Sequence, residues 1–152
     1  MEARKSENGH YTQVLQPPLW LLAFIFFLLA SIALSVWAAF DNPAGLLTLV
    51  VGVLLLLIIR KSLTMKIDLS PNELRIGSAH IERSFLGEAI ELSVDQMRLA
   101  RGRDADPAGF LAIRFWQPHG VKITVEDPRD PTPYWLISTK NAKGLVEALK
   151  KK

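Results

Sequence analysis

The chain has 152 residues and no cysteine, which excludes disulfides, thiolate metal sites and cysteine nucleophiles. Its length allows one pair of long helices and one small domain of about 90 residues. A formal charge of +3, with basic residues scattered along the chain, is too slight to argue for a nucleic-acid partner.

Residues 1–18 read as an N-terminal cytoplasmic arm. Two uncharged apolar runs follow, 19–40 and 43–59, separated only by Asp41 and Asn42. About 20 apolar residues suffice to cross the hydrocarbon core as a helix, so the pair predicts a transmembrane hairpin over residues 19–61. The first run is longer than the roughly 7–15 residues of a signal-peptide core, which favours a retained anchor. Arg4 and Lys5 precede the first span and Arg60, Lys61 and Lys66 follow the second, whereas the connection carries no basic residue. By the positive-inside rule both termini are expected in the cytoplasm of a bacterial inner membrane, with Trp20 and Trp37 near the two interfaces. Asp41 or Asn42 is expected to cap the second helix, with Pro43 at its first position. At about 17 residues the second span is short and should stand upright or draw Arg60 and Lys61 to the interface.

Small residues suggest where the two helices meet. Ser31, Ser35 and Ala39 share one face of the first, and Gly45, Thr48 and Gly52 one face of the second. Antiparallel packing would set Ala39 against Gly45, Ser35 near Thr48 and Ser31 near Gly52. These residues fill a hairpin seam or, in a sharper reading, present a docking face to another membrane protein. Neither span contains an ionisable residue, which argues against transport by this chain alone.

Beyond the second run the pattern alternates. Leu63, Met65, Ile67 and Leu69 predict one strand, and Leu74 and Ile76 continue in a second after the turn at Ser70-Pro71-Asn72. Gly77-Ser78 turns into a strand over 79–82, and another is expected over 89–92. Ser93-Val94-Asp95-Gln96 reads as a capping box opening a short helix that ends at Gly102. Strands follow at 110–115, 121–125 and 134–138. Asn141 then caps a helix with an Ala142, Leu145, Val146 and Leu149 stripe. The class is α+β: a hairpin followed, over 62–152, by a small pleckstrin-homology-like barrel or sandwich closed by a C-terminal helix.

The run Asp127-Pro128-Arg129-Asp130-Pro131-Thr132-Pro133-Tyr134-Trp135-Leu136-Ile137-Ser138-Thr139 resembles the signature of a family of actinobacterial two-span membrane proteins catalogued as a domain of unknown function. Arg101-Gly102-Arg103-Asp104-Ala105-Asp106-Pro107 and Glu73-Leu74-Arg75-Ile76-Gly77 resemble its other recurrent segments. The resemblance implies architecture and lineage, and it brings no catalytic residues.

Segment 127–135 reads either as a rigid turn, with Trp135 in the core and Tyr134 half-exposed, or as a loop that presents Arg129, Tyr134 and Trp116 to a partner. Asp104, Asp106, Asp127 and Asp130 lack the loop spacing of a cation site, and the three histidines define neither metal nor triad, so no cofactor is expected. Phosphoinositide recognition is not expected at the first strand turn, because Ser70-Pro71-Asn72-Glu73 holds no basic cluster. Arg60, Lys61 and Lys66, with the lysine tail at 150–152, would instead attract anionic lipid, at about 1 kcal/mol per residue close to the surface. The expected function is a non-enzymatic membrane adaptor or accessory subunit whose partners are the bilayer and other integral membrane proteins. An enzyme or lipid-handling protein at the cytoplasmic face is the rival, and a pocket holding Arg101, Arg103 and Asp104 would favour it. Homo-oligomerisation of the hairpin is a third reading.

Overall fold

The computed structural model describes residues 4–5 and 10–150. The chain forms two compact units, one of residues 1–15 with 66–152 and one of residues 16–65. In the first unit β1 (Arg4–Lys5) and β2 (Tyr11–Leu15) precede the long helices, while β3 (Met65–Leu69), β4 (Glu73–Ile76) and β5 (Ala79–Glu82) follow them. These five strands make one sheet in the order β1-β2-β3-β4-β5. The segment expected as an arm over residues 1–18 thus holds a strand in the same sheet as the domain expected over 62–152. The sequence hides it because its inward side chains are Tyr11, Gln13 and Leu15, and a buried glutamine breaks the apolar alternation.

Apolar alternation builds the rest of this sheet. Met65, Ile67 and Leu69 of β3 are buried, as are Leu74 and Ile76 of β4 and Ile81 of β5. Gly77 joins β4 to β5 at φ +61, a conformation that costs glycine little and L side chains more. The strand expected from Leu63 begins at Met65 because the preceding helix runs through Leu63. There Thr64 ends it, and its hydroxyl donates to the Arg60 carbonyl at 2.8 Å.

The second sheet holds β6 (Leu86–Leu92), β7 (Phe110–Ala112), β8 (Gly120–Val125) and β9 (Tyr134–Ser138), in the order β6-β8-β9-β7. β9 is antiparallel to β8 but parallel to β7, an arrangement that local sequence does not reveal. All five β9 residues are buried, since both faces of this strand are covered. Its Tyr134 and Leu136 pack with Leu92 and Met97, so α3 (Val94–Ala100) closes that side. The capping box at Ser93 and Gln96 is formed, and α3 ends two residues before Gly102. The strand expected to continue to Phe115 stops at Ala112. Beyond it, the Arg114 amide donates to the Ser138 hydroxyl at 3.0 Å instead of joining a ladder. The last helix, α4 (Ala142–Lys150), packs against β6 and β8 with Ala142, Leu145 and Leu149 buried.

The second unit is a helical pair, α1 (Leu19–Ala39) and α2 (Asn42–Leu63). The Asp41 carboxylate caps α2 by accepting from the Ala44 amide at 3.1 Å, and Pro43 lies in the first turn where an N–H has no partner to lose. α2 is longer than the 17 residues of its apolar run because it continues through Arg60 and Lys61, cations that suit the negative end of the helix dipole.

Candidate functional site

The surfaces with functional potential are the outer faces of the helical pair and the loops of the β-unit. Two helices, Leu19–Ala39 and Asn42–Leu63, are long and apolar enough to span a membrane, with mean hydropathies of 2.6 and 2.4. They pack on each other, yet only 6% and 11% of their apolar windows are buried. Phe24, Phe27, Leu34, Leu47 and Leu57 are all more than half exposed.

The seam between the helices sets large residues against small ones. Gly45 and Gly52 are buried and Thr48 is half-buried, with its hydroxyl returned to the Ala44 carbonyl at 2.9 Å. Opposite Gly45 lies Trp37, so close that a Cβ on Gly45 would fall 2.7 Å from its side chain. Opposite Gly52 lies Leu29, 3.5 Å from where a Cβ would be. Ala33 is the buried residue of α1. Ser31, Ser35 and Ala39, read from sequence as the α1 side of this seam, are exposed instead. Ser31 and Ser35 donate to the Phe27 and Ser31 carbonyls at 2.8 and 2.9 Å, so neither hydroxyl needs a partner across the seam. The physical reason is packing density: a glycine gap is better filled by tryptophan or leucine than by another small residue. The Trp37 indole donates to Asn42 Oδ1 at 2.7 Å, which fixes the ring beside the turn.

Segment 127–133 is a braced turn. Asp127 Oδ1 accepts from the Arg129 amide at 2.9 Å and from Arg129 Nε at 3.1 Å, and Asp130 Oδ1 accepts from the Thr132 amide at 2.9 Å. The side-chain bond from Arg129 holds the Asp127 carboxyl below the usual carboxylate range. The exposed Arg129 guanidinium also lies over the Phe85 ring, 5.2 Å from its centroid.

Tyr134, expected half-exposed, is buried at 6%. Its hydroxyl accepts from the Asp106 amide at 2.8 Å, and Lys122 Nζ sits 4.1 Å from the ring centroid. Its ring lies against Gly109, where a Cβ would meet it at 2.7 Å. Tyr134 therefore ties the 104–109 turn to the sheet and is not an exposed anchor. Trp116 is half-buried on the 113–119 loop, edge-to-face with the exposed Phe115 at 4.8 Å, and its indole nitrogen is buried with no hydrogen-bond partner among the described residues. Arg129, Tyr134 and Trp116 thus belong to a turn, a buried strand and a separate loop.

Arg60 and Lys61 are exposed in the last turn of α2, and Lys66 on β3 donates to Asp68 at 2.8 Å. That bond, more than any other contact, lowers the Asp68 pKa. The orientation expected from Arg4 and Lys5 rests on side chains outside the described residues, as does the lysine tail beyond Lys150.

Arg101, Arg103 and Asp104 are exposed, with Arg103 paired to Asp104 at 2.9 Å, and none of the three lines the clefts beside Arg83. A cleft of 330 Å³ instead lies between β6 and the end of α4, lined by Leu86, Ala89, Glu126 and Leu149 together with Arg83. Arg83 is 9% exposed, and its guanidinium donates to the Ala148 and Leu149 carbonyls at 2.6 and 3.2 Å. It satisfies carbonyls that the end of α4 leaves open. Sequence reading passes over Arg83, since the helix it caps lies some 65 residues away. Among the described residues no group of three or more His, Asp or Glu side chains is arranged to hold a metal ion.

No curated protein and no solved structure is significantly similar to the chain. Residues 10–149 match a family model, which takes in β2, the helical pair, β3 to β5 and the second sheet. The chain belongs to the family described as "Protein of unknown function (DUF3093)".

Proposed function

We propose that this protein is a two-span integral membrane adaptor or accessory subunit, non-enzymatic, with its β-unit on the cytoplasmic side. The observation that carries the reading is the inverted surface of the helical pair, with glycine and alanine inside and leucine and phenylalanine outside. An exposed apolar surface this extensive is costly in water and favourable in lipid. Neither apolar run, 19–40 or 43–59, holds an ionisable side chain, so the pair serves as anchor and docking surface and not as a pathway.

The likeness of the 127–139 run to actinobacterial two-span proteins supports an inner-membrane location. Two sheets closed by a C-terminal helix support a pleckstrin-homology-like reading of the β-unit, although the parallel β7–β9 pair departs from a simple antiparallel order. Arg60 and Lys61, free of acidic neighbours in sequence, favour anionic lipid at the end of α2. Lys66 contributes less, because Asp68 already holds it. With Tyr134 buried, the soluble contact is expected through Arg129, Trp116 and Phe115.

Gentle detergent extraction of the full chain, followed by affinity purification and mass spectrometry, tests the reading. A membrane protein co-purifying in fixed stoichiometry supports it. A chain that runs alone as a monomer overturns it.

A further inference from the structure

The strand before α1 and the strand after α2 are neighbours in one sheet. Only residues 16–18 join β2 to α1, and only Thr64 joins α2 to β3. The contact between the two strands is direct, since Thr12 Oγ1 donates to Asp68 Oδ1 at 3.0 Å.

β2 is also held from its inner face. Tyr11, Gln13 and Leu15 are 3%, 4% and 0% exposed. Gln13 Oε1 accepts from the Thr139 hydroxyl, and Thr139 is itself fully buried at the corner between β9 and α4. The Tyr11 hydroxyl lies 3.4 Å from both Gln13 Oε1 and the Asn141 carbonyl oxygen. The Asn141 amide donates to Thr139 Oγ1 at 3.2 Å, and Gln117 Nε2 donates to the Thr139 carbonyl at 2.9 Å. A leucine at position 13 would suit an apolar core; a glutamine there specifies one register. Sliding β2 by one residue would turn Thr12 and Val14 inward and leave the Thr139 hydroxyl without its acceptor.

We propose that β2 is a clasped strap that completes the β-unit, and that in a chain whose first helix has entered the membrane the clasp closes only when the second helix has crossed back. This rests on the membrane-spanning reading above. A chain that crosses once leaves β2 on one side and β3 with the rest of the unit on the other, so the five-stranded sheet cannot form. Among membrane-inserted copies, folding of the β-unit is then conditional on the second crossing, and a copy that has crossed once does not present the partner-binding loops. The Gln13–Thr139 bond is the positioning element, because it reaches from the strap to the corner that opens α4.

The absence of cysteine makes the test direct. Thr12→Cys with Asp68→Cys is introduced into the full chain, and the thiols are cross-linked in membranes by oxidation or a short bis-thiol reagent. Near-complete intramolecular cross-linking is expected, and it should vanish when two arginines placed in α2 (Leu54→Arg with Leu55→Arg) block the second crossing. Amide exchange on the solubilised full chain then reads the clasp. Thr139→Val should lower protection of β2 and the start of α4 at least tenfold, and the 12–68 cross-link should restore β2. Persistent cross-linking in the arginine variant, or unchanged protection in Thr139→Val, overturns the proposal. Alkaline extraction of the wild-type chain reads the membrane assignment separately. Release into the soluble fraction would sink that assignment while leaving the exchange measurement of the clasp intact.

Discussion

The two units sort the same residue types in opposite directions. In the β-unit Leu69, Leu74, Ile123, Leu136 and Leu145 are fully buried, and Lys, Glu and Arg side chains mostly cover the outside. In the helical pair Gly45, Gly52 and Ala33 are inside, while leucine and phenylalanine side chains form the exterior. The contrast shows which force holds each unit. Removal of apolar area from water stabilises the sheets. On the proposed membrane-spanning reading the helices have no such gradient, and close packing around small residues has to hold them together.

The largest expected effect breaks the β side of this contrast. Ile123→Ala removes a fully buried side chain from a central strand and should cost about 2–5 kcal/mol of unfolding free energy. Denaturant titration of the solubilised protein would measure it, and membrane association should be unchanged. Next, Leu54→Arg places a charge on an exposed face of α2 and should disfavour insertion by roughly 3 kcal/mol. Glycosylation-site mapping of the helix flanks reads that change. If membrane fraction and topology both stay as in the wild type, the exposed face is not meeting lipid.

A smaller effect separates the two glycines of the seam. Gly45→Ala drives a Cβ into the Trp37 side chain and should weaken helix pairing by about 1–3 kcal/mol. Gly52→Ala meets Leu29 at ordinary contact distance and should be nearly neutral. Equal effects in an α1–α2 association assay would argue against the Trp37–Gly45 contact.

The smallest effect sharpens the account of the strap. Burial raises the Tyr11 pKa above its ordinary value near 10, against a smaller lowering contribution from Thr139. A raised pKa means that the unfolded chain loses this proton first. The contribution of Tyr11 is thus fully present below about pH 10 and declines as pH rises from there through the folded-state value. Tyr11→Phe should flatten the alkaline limb of the stability profile above pH 10. An unchanged limb would remove Tyr11 from the buried cluster.

Legibility followed the range of the interactions. The Ser93 capping box, a cap at Asp41 or Asn42, the Gly77 turn and the 134–138 strand are readable because each depends on residues within a few positions. β2 was hidden, since Gln13 becomes intelligible only beside Thr139, distant in sequence. The seam was half-hidden for a related reason. Small residues mark gaps on either helix equally well, and the α1 face that fills them is chosen by the fit of Trp37 and Leu29. Tyr134 follows a turn rich in aspartate and proline and so reads as surface, whereas the 104–109 turn covers its ring in three dimensions.

By itself the sequence determined two helices of membrane-spanning length and a following region of short strands with a terminal helix. Apolar runs and alternating patterns are local consequences of helix and strand geometry. Only the tertiary structure decided that the segment before the helices belongs to the sheet after them, that β7 runs parallel to β9, and that Arg83 closes the end of α4. Each of these joins groups far apart along the chain, and their pairing is selected by burial and hydrogen-bond satisfaction that no local pattern encodes.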